Sequence, residues 1–105
     1  MEQAIEQFIT YLHNVKKTSA NTELSYRRDL KKVFIFLRSK GLTDLVNVKE
    51  EDLEEYVDSM NEQHFATATV STNIASMKAF FHFLSQEKLI EKDISERLKA
   101  PKIEK

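Results

Sequence analysis

Apolar side chains recur every three or four residues along most of the chain, the spacing that places them on one side of an α-helix. The first such stripe runs from Ile5 to Val15 and predicts a helix over residues 2–16. Later stripes predict four more helices, over residues 20–40, 48–62, Thr67 or Thr69 to Gln86, and a short one over 94–98. The pattern therefore predicts an all-α fold, a compact bundle of four main helices plus a short C-terminal helix.

The predicted helix ends carry the residues that stabilise free backbone groups. Ser19 and Asn21 are both good N-caps for the second helix, because a short side-chain oxygen accepts a hydrogen bond from a free N–H. Gly41 suits the left-handed position that follows a helix. The stretch from Asn47 to Glu50 resembles a capping box, so the third helix is predicted to begin there.

The helical spacing also predicts which side chains face outward. On the second helix, Ser25, Arg28 and Lys32 lie opposite the inward-facing Leu30. On the fourth helix, the side opposite the apolar stripe carries only small or weakly polar groups, namely Ala68, Thr72, Ala75, Ser76 and Ala79. A helix side made of such short groups can come close to a flat or grooved surface.

Composition narrows the classes of protein to which the chain can belong. One Gly and one Pro in 105 residues argue against an all-β fold and against a glycine-rich phosphate loop. The absence of Cys excludes disulfides, a zinc knuckle and a thiol nucleophile, and is compatible with a cytoplasmic location. No apolar run approaches the ~20 residues that span a bilayer, so we expect no membrane partner.

The net charge of −1 conceals a strong segregation of charge. Residues 15–41 carry a net charge of +6, and residues 42–63 carry −7. Local fields therefore matter more than the total charge. The basic residues gather on or just before the second helix, as expected for a phosphate-binding surface, and are Lys16, Lys17, Arg27, Arg28, Lys31 and Lys32. An ordinary solvated helix face is the alternative interpretation.

Catalytic and metal-binding patterns are not found. The three histidines are scattered and form no metal-binding pair, and the acidic residues of the third helix lack the glycine-bearing loop of a calcium site. We therefore expect no catalytic residue, no metal and no cofactor. The cluster of Phe80, Phe81 and Phe83 could stack on bases, but burial in the core explains it better.

Two stretches resemble a known family. Residues 19–30, Ser-Ala-Asn-Thr-Glu-Leu-Ser-Tyr-Arg-Arg-Asp-Leu, and residues 69–84, which end in Phe-Phe-His-Phe-Leu, are similar to the N-terminal core-binding, SAM-like domain of the tyrosine recombinases, the phage integrase and Xer-type family. The resemblance implies a helical DNA-binding domain over residues 1–100. Residues 101–105 would then begin a linker to a catalytic domain outside this chain, which would supply the chemistry.

The resemblance also implies partners and contact residues. In that family the second and fourth helices lie against the major groove, as half of a clamp on a recombination site. The partners would be double-stranded DNA, the C-terminal catalytic domain of the same parent chain and other recombinase protomers. The contact residues transferred to this chain, with Lys17 added from the basic segment, are Lys17, Thr22, Ser25, Arg28, Lys32, Ala68, Thr69 and Thr72.

A second hypothesis is a helical protein–protein interaction module that does not bind DNA. In that case the acidic third helix would dock a basic partner, or the aromatic surface of the fourth helix would dock another protomer. Charge reversal at Glu54 and Glu55 would then matter more than changes at Arg28.

Overall fold

The computed structural model describes residues 2–99, and within them every regular element is helical. The predicted linker, residues 101–105, lies outside the described residues. Four α-helices follow one another along the chain: α1 (Glu2–Tyr11), α2 (Ala20–Ser39), α3 (Glu50–Glu62) and α4 (Thr67–Gln86). Helix α4 packs against the other three and so forms the centre of the bundle.

The first predicted helix changes its geometry near its end. Residues Leu12–Lys16 form a π-helical turn, which ends at Lys17 in the left-handed conformation with φ of 56°. A π-turn holds an extra residue compared with an α-turn, and this shifts the side chains that follow out of the 3.6-residue register. Val15 was predicted to face inward, but it is 62% exposed for this reason.

Helix α2 begins and ends as predicted. The Ser19 hydroxyl caps its start by accepting a hydrogen bond from the Thr22 N–H at 3.2 Å. Gly41 follows the helix with φ of 83°, a conformation that a side chain would strain. Its inward stripe, Leu30, Val33, Phe34 and Leu37, is buried.

The predicted capping box at Asn47–Glu50 is wrong by two residues. Residues Leu45–Asn47 form a short 3₁₀ turn instead, because the Asp44 side chain accepts a hydrogen bond from the Val46 N–H and caps that turn. Helix α3 then starts at Glu50. The Asp52 carboxylate accepts a hydrogen bond from the Lys49 N–H at 2.8 Å and supports the new start.

The predicted short helix at 94–98 is a turn. The Asp93 carboxylate accepts hydrogen bonds from both the backbone N–H and the hydroxyl of Ser95, at 2.9 and 2.6 Å. Such a local bond competes with helical bonding, and a stretch this short cannot recover the cost of helix nucleation.

The core is built around aromatic side chains. Phe80 and Phe81 are fully buried and Phe83 is 6% exposed, so the interpretation of this cluster as core is confirmed and base stacking on it is excluded. Phe80 lies at the centre, with ring centroids 5.5 Å from Phe8 and 5.7 Å from Phe34. These contacts join α4 to α1 and α2.

The ammonium of Lys40, just after α2, ties that helix to α3. It donates a hydrogen bond to Asp52 at 2.7 Å and forms a second ion pair with Glu55. Partial burial raises the pKa of Asp52, but the hydrogen bonds from Lys40 and from the Lys49 N–H outweigh it and hold that pKa below its ordinary value of 3.8. The folded state therefore favours the ionised carboxylate.

This pKa shift predicts an acid-sensitive contribution to stability. A carboxylate with a lowered pKa stabilises the fold above its ordinary pKa, and the stabilisation is lost as the pH falls through the lower, folded value. We expect Asp52→Asn to be less stable than the parent at neutral pH and to lose less stability below about pH 4. Urea denaturation at both pH values measures this. Asp58→Asn on the exposed side of the same helix is the control, and an equal response of the two variants would contradict the assignment.

Candidate nucleic-acid interface

A shallow groove of about 200 Å³ lies on the surface between α2 and α4. Helix α2 provides its cationic wall, and α4 provides a wall of short side chains. The lining residues are Arg28, Asp29, Lys32, Ala68, Thr69, Thr72 and Asn73. Five of the eight contact residues predicted from the sequence therefore meet in one groove, although they come from segments 40 residues apart.

The other three predicted contact residues lie outside this lining. Ser25 is half-buried on α2, and Thr22 is exposed in the first turn, where its hydroxyl accepts a hydrogen bond from Ser19 at 3.0 Å. Lys17 is exposed at the left-handed residue that ends the π-turn. All three belong to the start of α2 or to the loop before it, on the same helix as the cationic wall.

The basic segment does not act as one patch. Arg27 forms an ion pair with Glu6 of α1, and the Arg38 guanidinium donates to Glu2 at 2.9 Å. By contrast, Arg28 is 65% exposed at its side chain, and its nearest carboxylate oxygen is Asp29 Oδ1 at 3.8 Å. Lys32 is exposed and has no carboxylate within 4 Å among residues 2–99. The cations available to a ligand are thus concentrated at the groove.

The wall formed by α4 is smaller than predicted. Ala68, Thr72 and Ala75 are exposed as expected, and the Thr72 hydroxyl donates back to the Ala68 carbonyl at 2.9 Å. Ser76, which was predicted to face outward, is buried at 4% exposure, and Ala79 packs against the core. The reason is that α4 contacts three neighbouring helices, so only a narrow strip of its circumference remains free.

Buried polar side chains lie beneath the groove. Asp29 is 2% exposed and accepts a hydrogen bond from the Ser76 hydroxyl at 2.9 Å. Asn73, also 2% exposed, donates to the Thr69 carbonyl at 2.9 Å and accepts a longer bond from the Tyr56 hydroxyl at 3.4 Å. These contacts link α2, α3 and α4 behind the surface.

The sequence analysis assigned no role to Asp29, although its spacing contains a signal. Asp29 lies three residues after Tyr26 and four before Val33, and so falls on the inward side of α2. A charged residue on a buried stripe indicates a polar partner inside the fold. Burial and, secondly, the negative charge of Asp29 raise the pKa of Tyr56 to about 12.

A second and larger depression, of about 1300 Å³, lies between the start of α3 and the segment that follows α4. Glu50, Glu51 and Glu54 line one part of it, and Lys88, Lys92 and Arg97 line another. Both signs of charge are therefore present. This region contains much of the acidic surface on which the protein-interaction hypothesis depends.

Residues 2–99 contain no group of three His, Cys, Asp or Glu side chains that could hold a metal ion. None of the helices in the same range is both long and apolar enough to cross a lipid bilayer. His13, His64 and His82 are all exposed.

Comparison with known proteins gives a consistent picture. The family described as phage integrase, N-terminal SAM-like domain, matches residues 5–88. The chain is 34% identical to the tyrosine recombinase XerC of Oceanobacillus iheyensis and 30% identical to that of Roseiflexus castenholzii, over its whole length in both cases. It is 28% identical to the tyrosine recombinase XerD of Staphylococcus haemolyticus. The chain spans only about a third of each relative, 34%, 33% and 36% respectively.

Proposed function

The chain belongs to the family of phage integrase N-terminal SAM-like domains, and from this premise we propose that it binds duplex DNA at a recombination site. In this proposal the groove between α2 and α4 lies against the major groove of DNA, and Arg28 and Lys32 contact phosphates or base edges. The DNA is held as half of a clamp, whose other half is the catalytic domain of a longer recombinase.

One observation carries the proposal, which is that exposed cations and short side chains share a single groove. Arg28 and Lys32 supply charge that neutralises phosphates. Ala68 and Thr72 on the opposite wall leave room for a duplex to come close. The major groove of B-DNA is wide enough to admit an α-helix, so two neighbouring helices with this surface can approach base edges.

The charge of the groove also indicates how strongly the domain binds. Its lining contains two cations and the buried carboxylate of Asp29, which is a modest positive excess. We therefore propose that the domain alone binds DNA weakly and gains affinity from linkage to a catalytic domain, because two linked modules bind far more tightly than either alone. In this proposal the bond-breaking chemistry belongs to that second domain, and other recombinase protomers assemble on the same DNA.

A titration of the ¹⁵N-labelled chain with a duplex of random sequence, at two salt concentrations, tests the proposal. We expect amide shifts confined to residues 17–32 and 67–78, and we expect them to shrink at the higher salt concentration as counterion release requires. A second titration with a basic peptide is the control for the acidic surface of α3.

The two hypotheses predict opposite patterns in these titrations. Shifts of Glu50, Glu54 and the segment 88–97 with the basic peptide, and none with DNA, would favour the protein-interaction module. Charge reversal at Glu54 and Glu55 would then abolish the response. Part of that acidic surface is already used inside the fold, because Glu55 pairs with Lys40. This pairing favours the DNA-binding proposal.

A further inference from the structure

Asp29 is a buried carboxylate directly beneath the candidate DNA-binding surface. Its side chain is 3% exposed, whereas that of its neighbour Arg28 is 65% exposed. A buried charge is costly unless it is hydrogen-bonded or paired, so its presence here calls for partners. The helices on either side of the groove supply them.

The two oxygens of this carboxylate face different partners. Oδ2 accepts the hydrogen bond from the Ser76 hydroxyl of α4 at 2.9 Å. Oδ1 lies 3.8 Å from the Nε of Arg28, beyond a direct hydrogen bond but within the range of an ion pair. One side chain thus joins the two walls of the groove and also attracts the cation at its rim.

We propose that Asp29 is a positioning residue for DNA recognition, which holds the Arg28 guanidinium over the groove and fixes α2 against α4 through Ser76. This inference rests on the proposed function, because it concerns the same groove. It assigns to Asp29 an indirect role: the carboxylate does not contact DNA but restricts the side chain that does.

Substitution of Asp29 by Asn separates this role from simple electrostatics, because the two accounts predict opposite signs. Asn has nearly the same shape and can still accept the bond from Ser76. If Asp29 acts only as a negative charge near a polyanion, its removal strengthens DNA binding. If it positions Arg28, Asp29→Asn weakens binding to a random duplex by roughly two- to fivefold, the scale of an exposed ion pair.

A double-mutant cycle with Arg28→Ala completes the binding test. We expect Arg28→Ala to cost less affinity in the Asp29→Asn background than in the parent chain, because Arg28 is no longer held in place. Ser76→Ala is the matched control, since it removes the bond to α4 but keeps the charge that faces Arg28. Tighter DNA binding by Asp29→Asn, with an unchanged cost of Arg28→Ala, would overturn the proposal.

A second measurement on the DNA-free chain does not depend on DNA binding or on the folding of any variant. The ¹⁵Nε order parameter of Arg28 should exceed that of Arg97, which is exposed and has no carboxylate within 4 Å among residues 2–99. Equal mobility of the two side chains would overturn the positioning role. A lack of DNA binding in every variant, with Arg28 still ordered, would instead reject the proposed function and leave the positioning role intact.

Discussion

Alanine at both Arg28 and Lys32 should weaken the binding of duplex DNA by roughly 100-fold at low salt, because an arginine at a DNA interface contributes about 1–3 kcal/mol and a phosphate-bound lysine adds to it. The slope of log affinity against log salt concentration should fall by about one for each cation that meets a phosphate. Fluorescence anisotropy with a labelled random duplex, over a series of salt concentrations, measures both quantities.

Arg27 provides a matched control for this prediction. It is adjacent to Arg28 and carries the same charge, but it forms an ion pair with Glu6 on α1 instead of lining the groove. We expect Arg27→Ala to leave the salt slope nearly unchanged. Equal losses in Arg27→Ala and Arg28→Ala would show that binding follows total charge alone, and the groove would lose its role.

Removal of the Phe80 ring should destabilise the fold more than any change on the surface. Its centroid lies 5.3 Å from that of Phe81, and the rings of Phe8 and Phe34 close the cluster. Phe80→Ala is expected to lower the free energy of unfolding by about 3–5 kcal/mol, through lost burial and the cavity left behind. A domain of this size is stable by only about 5–15 kcal/mol, so the variant is close to unfolding.

Phe65→Ala is the control for the core prediction. Phe65 precedes α4 and is 39% exposed, so the same truncation there should cost far less. Urea denaturation followed by circular dichroism compares the two variants. Similar losses in both would mean that the aromatic cluster around Phe80 does not dominate the stability of the bundle.

Four α-helices could be predicted from apolar spacing because each one buries a continuous stripe. The predicted all-α class and the predicted family are both confirmed, the latter by the match over residues 5–88. The errors lie at helix ends, where a few polar contacts decide the outcome. Asp44 and Asp52 compete with Asn47 for the start of α3, and Asp93 turns the chain where a fifth helix was predicted.

The groove was partly predictable for a similar reason. Arg28, Lys32 and Thr72 were placed outward from the periodicity of single helices, and they do line one surface. Ser76 was misplaced and Asp29 was not assigned, because their burial depends on how two helices meet. Helical spacing describes each helix alone and contains no information on that contact. The binding of DNA at these residues stays a prediction.

The central position of α4 has a consequence for synthesis of the protein. The helices α1, α2 and α3 all pack on α4, which is the last of the four to leave the ribosome. Until residues 67–86 emerge, the nascent chain has no surface on which to bury the rings of Phe8 and Phe34. One wall of the groove is missing during that interval, so the newly made protein acquires its ligand-binding surface and its stable core in the same step.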